Sequence, residues 1–555
     1  MVARRAPDTV MTLARLGSLH QSRLSFMRQL TRRMANEGWR FDRRVFDIDD
    51  AGVGHAVFTA HGPARTYSLV AFAHDLPPKM RSDRVIATAW DATFALFDGI
   101  PTQDDIDRLS RNVPLQEAGR VSEREISVSR ANRSVRLWDH IVDALSRGQQ
   151  PDPARLAEVG YLMRTTAVYG SGKLGAADRE VIADRPEMQA PFQAEMLSVY
   201  LTRWFVRDLI EHMARARGGK IAVPLAPQSA QRLGIGNSTG LGMAPFLVTH
   251  PVLFNNWIMA REEAIARVRS LRDASVAEGD QFRALFSRAA LSVAAWKTEH
   301  PIQIAKLADL RRDVESLRTH LDSADLQSAA PWDRLMRWAE THLSLEGQEW
   351  LASLILEPYG ALVDGLGACM ADAATDAYVI DGAMTVRAAM QCLEDSFGWA
   401  LKVDWAAPEN CARAWYVSEE KLEPRLGERF EEPIAPFEQP LAPARDAAAA
   451  HALLRGWDAD APVADVLATH PAHRNAIRRA QITKFAPYGE IRSNTIGADL
   501  LPIDMLRAKL SFFGVTHFDP RSDRWVRVSM YAGAPYPSDL CIANADDWVY
   551  PEVSQ

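Results

Sequence analysis

The chain has 555 residues, of which 47% are hydrophobic and 24% charged, with a formal net charge of −7 and a mean hydropathy of −0.19. This is the composition of a soluble globular protein, too long for a single hydrophobic core and without the run of roughly 18 apolar residues that would cross a bilayer. The weak acidic charge offers no field to hold nucleic acid through its phosphates, so neither nucleic acid nor membrane is expected as a partner.

The first 34 residues are rich in Arg and Ser with one acid, Asp8, which is the composition of a transit peptide, but helical spacing over Leu24–Met34 favours an ordinary first helix. From Trp39 to Gly99 the pattern changes to short alternating runs, RRVFDID, GHAVFTAHG, TYSLVAFAH and RVIATAWDATFALF, separated by turn residues. The two-residue period predicts a small antiparallel sheet with one face against a core. Helical periodicity then dominates to Glu423, with segments predicted at 121–147, 153–169, 191–215, 251–273, 279–298, 301–321, 331–344 and 346–376. The stretch 424–445, EPRLGERFEEPIAPFEQPLAPAR read from Glu423, carries repeated Pro beside Glu and predicts a linker. Beyond it, 446–515 is predicted helical and 515–530 a hairpin.

The fold class that follows is α+β, mainly α. It comprises an N-terminal α/β region (1–102) with a small antiparallel sheet, a large multi-helix body (103–423), a linker (424–445) and a C-terminal helix-plus-hairpin domain (446–555).

Two glycine-rich stretches interrupt the helical pattern and read as loops. The first is YGSGKLG at 169–175. Its glycines let backbone N–H groups approach a ligand while Lys173 supplies a point charge, a set of parts suited to phosphate or carboxylate. It is not a P-loop, because Ala167 and Leu174 stand where the Walker pattern needs Gly and Ser/Thr. The second, GIGNSTGLG at 234–242, combines a backbone of little bulk with the neutral donors Asn237, Ser238 and Thr239 between Gly236 and Gly240. Such a segment can wrap an anionic or hydroxylated small molecule where a helix cannot.

Tyr169 and Lys173 spell Y-x-x-x-K, and Gly236–Gly242 fits G-x-x-x-G-x-G; both resemble motifs of the short-chain dehydrogenases. In that family the fingerprint opens the domain and the Tyr/Lys pair follows it, the reverse of the order here. The resemblance implies an NAD(P)-dependent oxidoreductase as an alternative; otherwise the cofactor is unknown.

Further candidates flank these loops. His250, before Pro251 at a helix start, has the near-neutral pKa of a general acid or base. Asn255 falls in the first turn of the following helix as a polar contact. Glu195 heads a polar stripe with Ser198 and Thr202 along an otherwise apolar helix, the setting in which a carboxylate becomes useful for proton transfer. Arg164, beside Thr165 and Thr166, is placed to clamp a carboxylate.

Four cysteines, Cys369, Cys392, Cys411 and Cys541, are dispersed, so neither a metal site nor a disulfide framework is expected and a cytosolic setting fits. The expectation is a cytoplasmic enzyme, a lyase, isomerase or hydrolase. It would hold a small anionic metabolite with Arg164, Ser171, Gly172, Gly236, Asn237, Ser238, Thr239, Gly240 and Asn255, and transfer protons through His250, Lys173, Tyr169 or Glu195. A non-catalytic helical scaffold is the other alternative, and self-association into a homo-oligomer stays open.

Overall fold

A computed structural model of the chain describes all residues except 13–14, 17–19, 78–88, 115–121, 166–181, 183, 189, 191, 241–250, 371–380, 408–416, 419–420, 425–441, 491–506, 508–510, 516, 523–524 and 551–555. The chain divides into two units, each assembled from separated stretches. A sheet unit contains Gln21–Thr239, Leu510–Asp519 and Arg527–Gln555, and a helical unit contains Met1–His20, Gly240–Lys509 and Pro520–Val526. The linker predicted at 424–445 lies almost wholly outside the described residues.

The sheet unit is built on β1 (Arg40–Ile48), β2 (Gly54–His61), β3 (Thr66–Ala73), β4 (Ala92–Asp98), β5 (Glu125–Arg133), β6 (Tyr161–Thr165) and β7 (Gly234–Gly240), with the hairpin β8 (His517–Ser522) and β9 (Trp525–Met530). They form one nine-stranded sheet in the order β1-β2-β3-β4-β5-β6-β7-β9-β8. Mainly-α α+β therefore holds as the class, and the hairpin forms where expected, but the sheet is neither small nor purely antiparallel. β1 to β6 pair antiparallel in sequence order, whereas β6 and β7 are parallel.

The extra strands come from stretches whose spacing reads as helix. Glu125–Arg133 precedes the real helix Trp138–Ser146 within the predicted 121–147, and the five-residue β6 follows the short helix Pro153–Val159 within 153–169. The left-handed Gly160 (φ 73°) ends that helix and turns the chain into β6, a conformation that favours glycine.

One face of the sheet is packed by α1 (Gln103–Asn112): Ile106, Leu109 and the following Val113 meet Val57, Val70, Phe72, Ala95, Phe97 and Val128. Thr102 and Asp105 close a reciprocal capping box that starts this helix. Across the other face runs α2 (Gln193–Gly218), whose Phe205 meets Phe58 and Phe94 edge-on with ring centroids 6.0 and 5.7 Å apart. Further along α2, Arg203 is buried and donates to the carbonyls of Leu233 and Ala534 at 2.8 Å, its guanidinium 3.9 Å from the Tyr536 ring centroid. This clamp fixes the residue from which β7 starts.

The glycine-rich 234–240 is thus a strand, not a loop. Its glycines serve close packing: a Cβ on Gly236 would stand 2.7 Å from the Tyr161 ring, and one on Gly234 would stand 2.2 Å from the Met530 carbonyl oxygen. Backbone without side chains lets β7 enter the sheet beneath that ring.

The helical unit contains α3 (Pro251–Arg269), α4 (Val276–Ala295), α5 (Pro301–Ser323) and α6 (Pro331–His342), close to the spans that periodicity predicts, and α7 (Leu345–Leu354), which ends well short of the predicted 346–376 and gives way to short 3-10 and α turns up to Met370. A smaller cluster packs the helices Val386–Phe397, Ala442–Leu454, Val463–Thr469 and Arg474–Ile482 around Leu393, Phe397, Leu454 and Ile477. No described helix is long and apolar enough to cross a membrane.

The N-terminal segment is bound into this unit by buried charge. Arg5 donates to Glu262 and Glu349, each at 2.7 Å, Arg15 to Glu349, and Arg261 to Glu262 at 2.9 Å and Glu349 at 2.8 Å. One turn away on α7, Glu346 accepts from Arg507 and lies 2.7 Å from His20. The surrounding cations outweigh burial and hold the Glu346 and Glu349 carboxyls well below the usual carboxylate range.

Candidate functional site at one end of the sheet

The parallel register of β6 and β7 sets Tyr161 opposite Gly234 and Arg164 opposite Gly236. Both strands therefore run toward the same end of the sheet, where Asn237 Nδ2 donates to the Thr165 carbonyl at 2.8 Å. From this end the chain leaves β6 into 166–181, which carries the first glycine-rich stretch, and leaves β7 into 241–250. The β3–β4 connection lies at the opposite end: Thr165 stands level with Ala131, Ala92 and Ala73, but β6, antiparallel to β5, and β7 with it run away from that connection. The carboxyl ends of β6 and β7 are those of adjacent parallel strands, the position at which open α/β sheets bind ligands.

The Ala73–Ala92 end of the sheet, level with Thr165, is polar on the α1 side. Strand alternation puts Thr93 on the face of Ala95, and Arg130 and Asn132 on the face of Val128. Arg164, opposite Asn132, joins them. The apolar half of this face is covered by α1, and beyond it the row continues with His74, Thr93, Arg130, Asn132 and Arg164. His74 follows β3 directly, its backbone N–H donating to Asp91 O at 2.9 Å and its Nε2 lying 2.8 Å from Thr93 Oγ1.

Asp91 and Asn132 brace this end. Asn132 Oδ1 accepts from the Asp91 N–H at 3.0 Å and Asn132 Nδ2 donates to Ala89 O at 3.2 Å, while Asp91 Oδ2 accepts from the Arg133 N–H at 2.9 Å. The guanidinium of Arg130 stacks 3.9 Å from the Trp90 ring centroid. Arg130, Arg133 and Arg164 stand here with the carboxylates of Asp75 and Asp91. Burial draws the His74 imidazole below its usual pKa, against the opposing pull of the Asp91 carboxylate. A lowered pKa favours the neutral, proton-accepting imidazole at neutral pH.

The expected site residues divide into four groups. Arg164, Gly236 and Asn237 are brought together at this end by the β6–β7 pairing, and the backbones of Ser238, Thr239 and Gly240 continue β7. Tyr169, Ser171, Gly172, Lys173 and His250 lie outside the described residues. Glu195 is buried in the first turn of α2 with Ser198 and Thr202, whose hydroxyls are buried without a hydrogen-bond partner. Asn255 belongs to the helical unit, where its Oδ1 accepts from the Tyr488 N–H at 2.9 Å and its Nδ2 donates to Asn256 Oδ1 at 3.1 Å; it tethers the 487–489 turn to α3. Gly236–Gly240, the first part of the dehydrogenase-like fingerprint, lies within a strand and not in a strand-to-helix turn.

His74, Asp91, Thr93, Arg130 and Asn132 were not legible as site residues from spacing alone. The available signal was polar residues at inward positions near the ends of apolar strands, in AHDL, WDAT and SRANR. Comparison with known proteins adds no name: no family model, no curated protein and no solved structure matches the chain.

Proposed function

We propose that the protein is an enzyme acting on a small anionic metabolite, carboxylate- or phosphate-bearing, by acid/base proton transfer. One observation carries the reading: Arg164, near the end of β6, stands level with Asn132 and Asp91, to which the His74 backbone is bonded, and Arg130 shares the face of Thr93, whose hydroxyl meets the His74 ring. The arginines supply planar, permanently charged donors for an oxyanion. Lys173, eight residues past the end of β6, supplies a further charge in this proposal, with Ser171 and Gly172 as backbone and hydroxyl donors and Tyr169, Glu195 and His250 as further proton-transfer candidates. The dispersed cysteines place the enzyme in the cytosol on this reading.

The test is ligand-induced thermal stabilisation, followed by calorimetry, with a panel of phosphate esters and mono- and dicarboxylates at fixed ionic strength. Binding by at least one class is expected, weakened by Arg164→Gln and by Lys173→Met about tenfold each, or about 1.4 kcal/mol. Binding unchanged in both variants, or no stabilisation by any member of the panel, would overturn the proposal.

A further inference from the structure

We infer that His74 is the proton carrier of this site, with Nδ1 as the working atom and Thr93 as the positioning residue that holds the ring. The inference rests on the anion-binding reading of the same end of the sheet. Its geometry is specific to this histidine. The His74 backbone is bonded to Asp91, its Nε2 is engaged by Thr93 Oγ1 at 2.8 Å, and among the described residues its half-buried ring has no second hydrogen-bond partner, which leaves Nδ1 open to them. With Nε2–H donating to the Thr93 hydroxyl, the lone pair resides on Nδ1, on the face that also carries Arg130 and Arg164.

In the forward step, Nδ1 takes a proton from a C–H or O–H group of the bound anion. The bonding electron pair stays on the substrate, whose charge becomes more negative by one beside the arginines, and the imidazole becomes imidazolium near the Asp91 carboxylate. The proton returns to the rearranged product, so the residue ends as it began. The Asp91 carboxylate on the β4 side favours imidazolium, while Arg130 on β5 and Arg164 on β6, on the same face of the sheet, favour the anion. His55 on β2 lies one pair further along the same face, 3.9 Å from Asp47. Burial, which draws the imidazole below its usual pKa, keeps Nδ1 free to accept at neutral pH.

The experiment uses the full chain labelled with 13C and 15N at histidine, with sulfate as an oxyanion that does not itself titrate, at ionic strength held constant with sodium chloride. The His74 resonance is identified by its loss in His74→Gln. Its titration midpoint is expected below 6.5 without sulfate and at least half a pH unit higher with it. By linkage, sulfate should then bind about threefold tighter once His74 is protonated. His74→Gln should remove that pH dependence and retain binding at pH 7.5. The 15N shifts should report a single tautomer, protonated at Nε2, in the wild type and a mixture in Thr93→Val. Sulfate that binds and is weakened by Arg164→Gln, yet leaves the His74 midpoint and tautomer unmoved, would overturn this inference alone. Sulfate that does not bind at all would overturn the anion reading and the proton carrier with it.

Discussion

Glu349 is the residue at which the energetics of this protein are most exposed to test. Its side chain is 0% solvent-exposed and accepts from Arg5 at 2.7 Å, from Arg261 at 2.8 Å and from Arg15, and Arg261 is likewise 0% exposed. Glu349→Gln preserves the shape but turns one acceptor into a donor facing guanidinium N–H groups, and leaves Glu262 as the one carboxylate for Arg5 and Arg261. At an effective dielectric of about 20, each lost pair is worth roughly 4 kcal/mol of gross attraction at about 4 Å between charge centres. Most of that is offset by the desolvation already spent, and breaking a buried network by removing one member leaves a net loss of about 3–5 kcal/mol. For a unit of this size the loss lowers Tm by roughly 6–20 °C, read by calorimetry and urea denaturation. Asp460→Asn, at the exposed Arg387–Asp460 pair, should change stability by less than about 0.5 kcal/mol. The pH dependence has a definite sign. A carboxyl held low in the folded state contributes stability above its unfolded pKa, about 4.3, and loses it as pH falls through the lowered value. The gap between wild type and variant should therefore be complete above about pH 5 and shrink progressively as pH falls from about 4 toward the lowered value of the folded state. A Glu349→Gln protein within 1 kcal/mol of wild type at pH 7 would refute the argument that this network anchors the N-terminal segment.

Two further outcomes follow from backbone and packing. Gly236→Ala forces a Cβ against the Tyr161 ring at 2.7 Å and should destabilise by about 1–3 kcal/mol in denaturant titration, with Tyr161→Leu in the same chain recovering part of the loss; additive effects would show that the contact is not the reason for the glycine. Ala330 precedes α6 at φ 50°, in the left-handed region, so Ala330→Gly should be neutral or stabilising by up to about 1 kcal/mol and Ala330→Val should lose about 1–2 kcal/mol in the same measurement; the reverse order would contradict the strain.

The helices of the helical unit were legible because each carries its own signals. α4 starts at a Ser275/Glu278 capping box, α5 and α6 begin with Pro301 and Pro331, and their apolar positions recur at helical spacing. The first four strands were legible for the same local reason, a two-residue period between turns. What was not legible depends on partners remote along the chain. β7 has no side-chain pattern of a strand, since GIGNSTG offers neither alternation nor branched residues. It becomes a strand because β6 and β9 flank it and Arg203 holds its first residue's neighbour. The basic N-terminal segment was ambiguous for the converse reason: its arginines look unpaired in sequence, and their acids lie more than 250 residues away at Glu262 and Glu349.

The same distinction explains why the candidate site was half visible. Glycines, Lys173 and small hydroxyl residues announced themselves as a composition, whereas His74, Thr93, Arg130 and Asn132 are each ordinary in sequence and acquire meaning through register. A single-residue slip of β4 against β5 would send Arg130 to the α2 side, away from Thr93, and leave His74 without its cross-strand company. That register is fixed by apolar residues that do no chemistry, Val57, Val70, Ala95 and Val128 packed under Ile106 and Leu109. The polar end is therefore positioned by the hydrophobic half of the same face, and the α1 core supplies the rigidity that the proposed proton transfer over a hydrogen-bond distance would require.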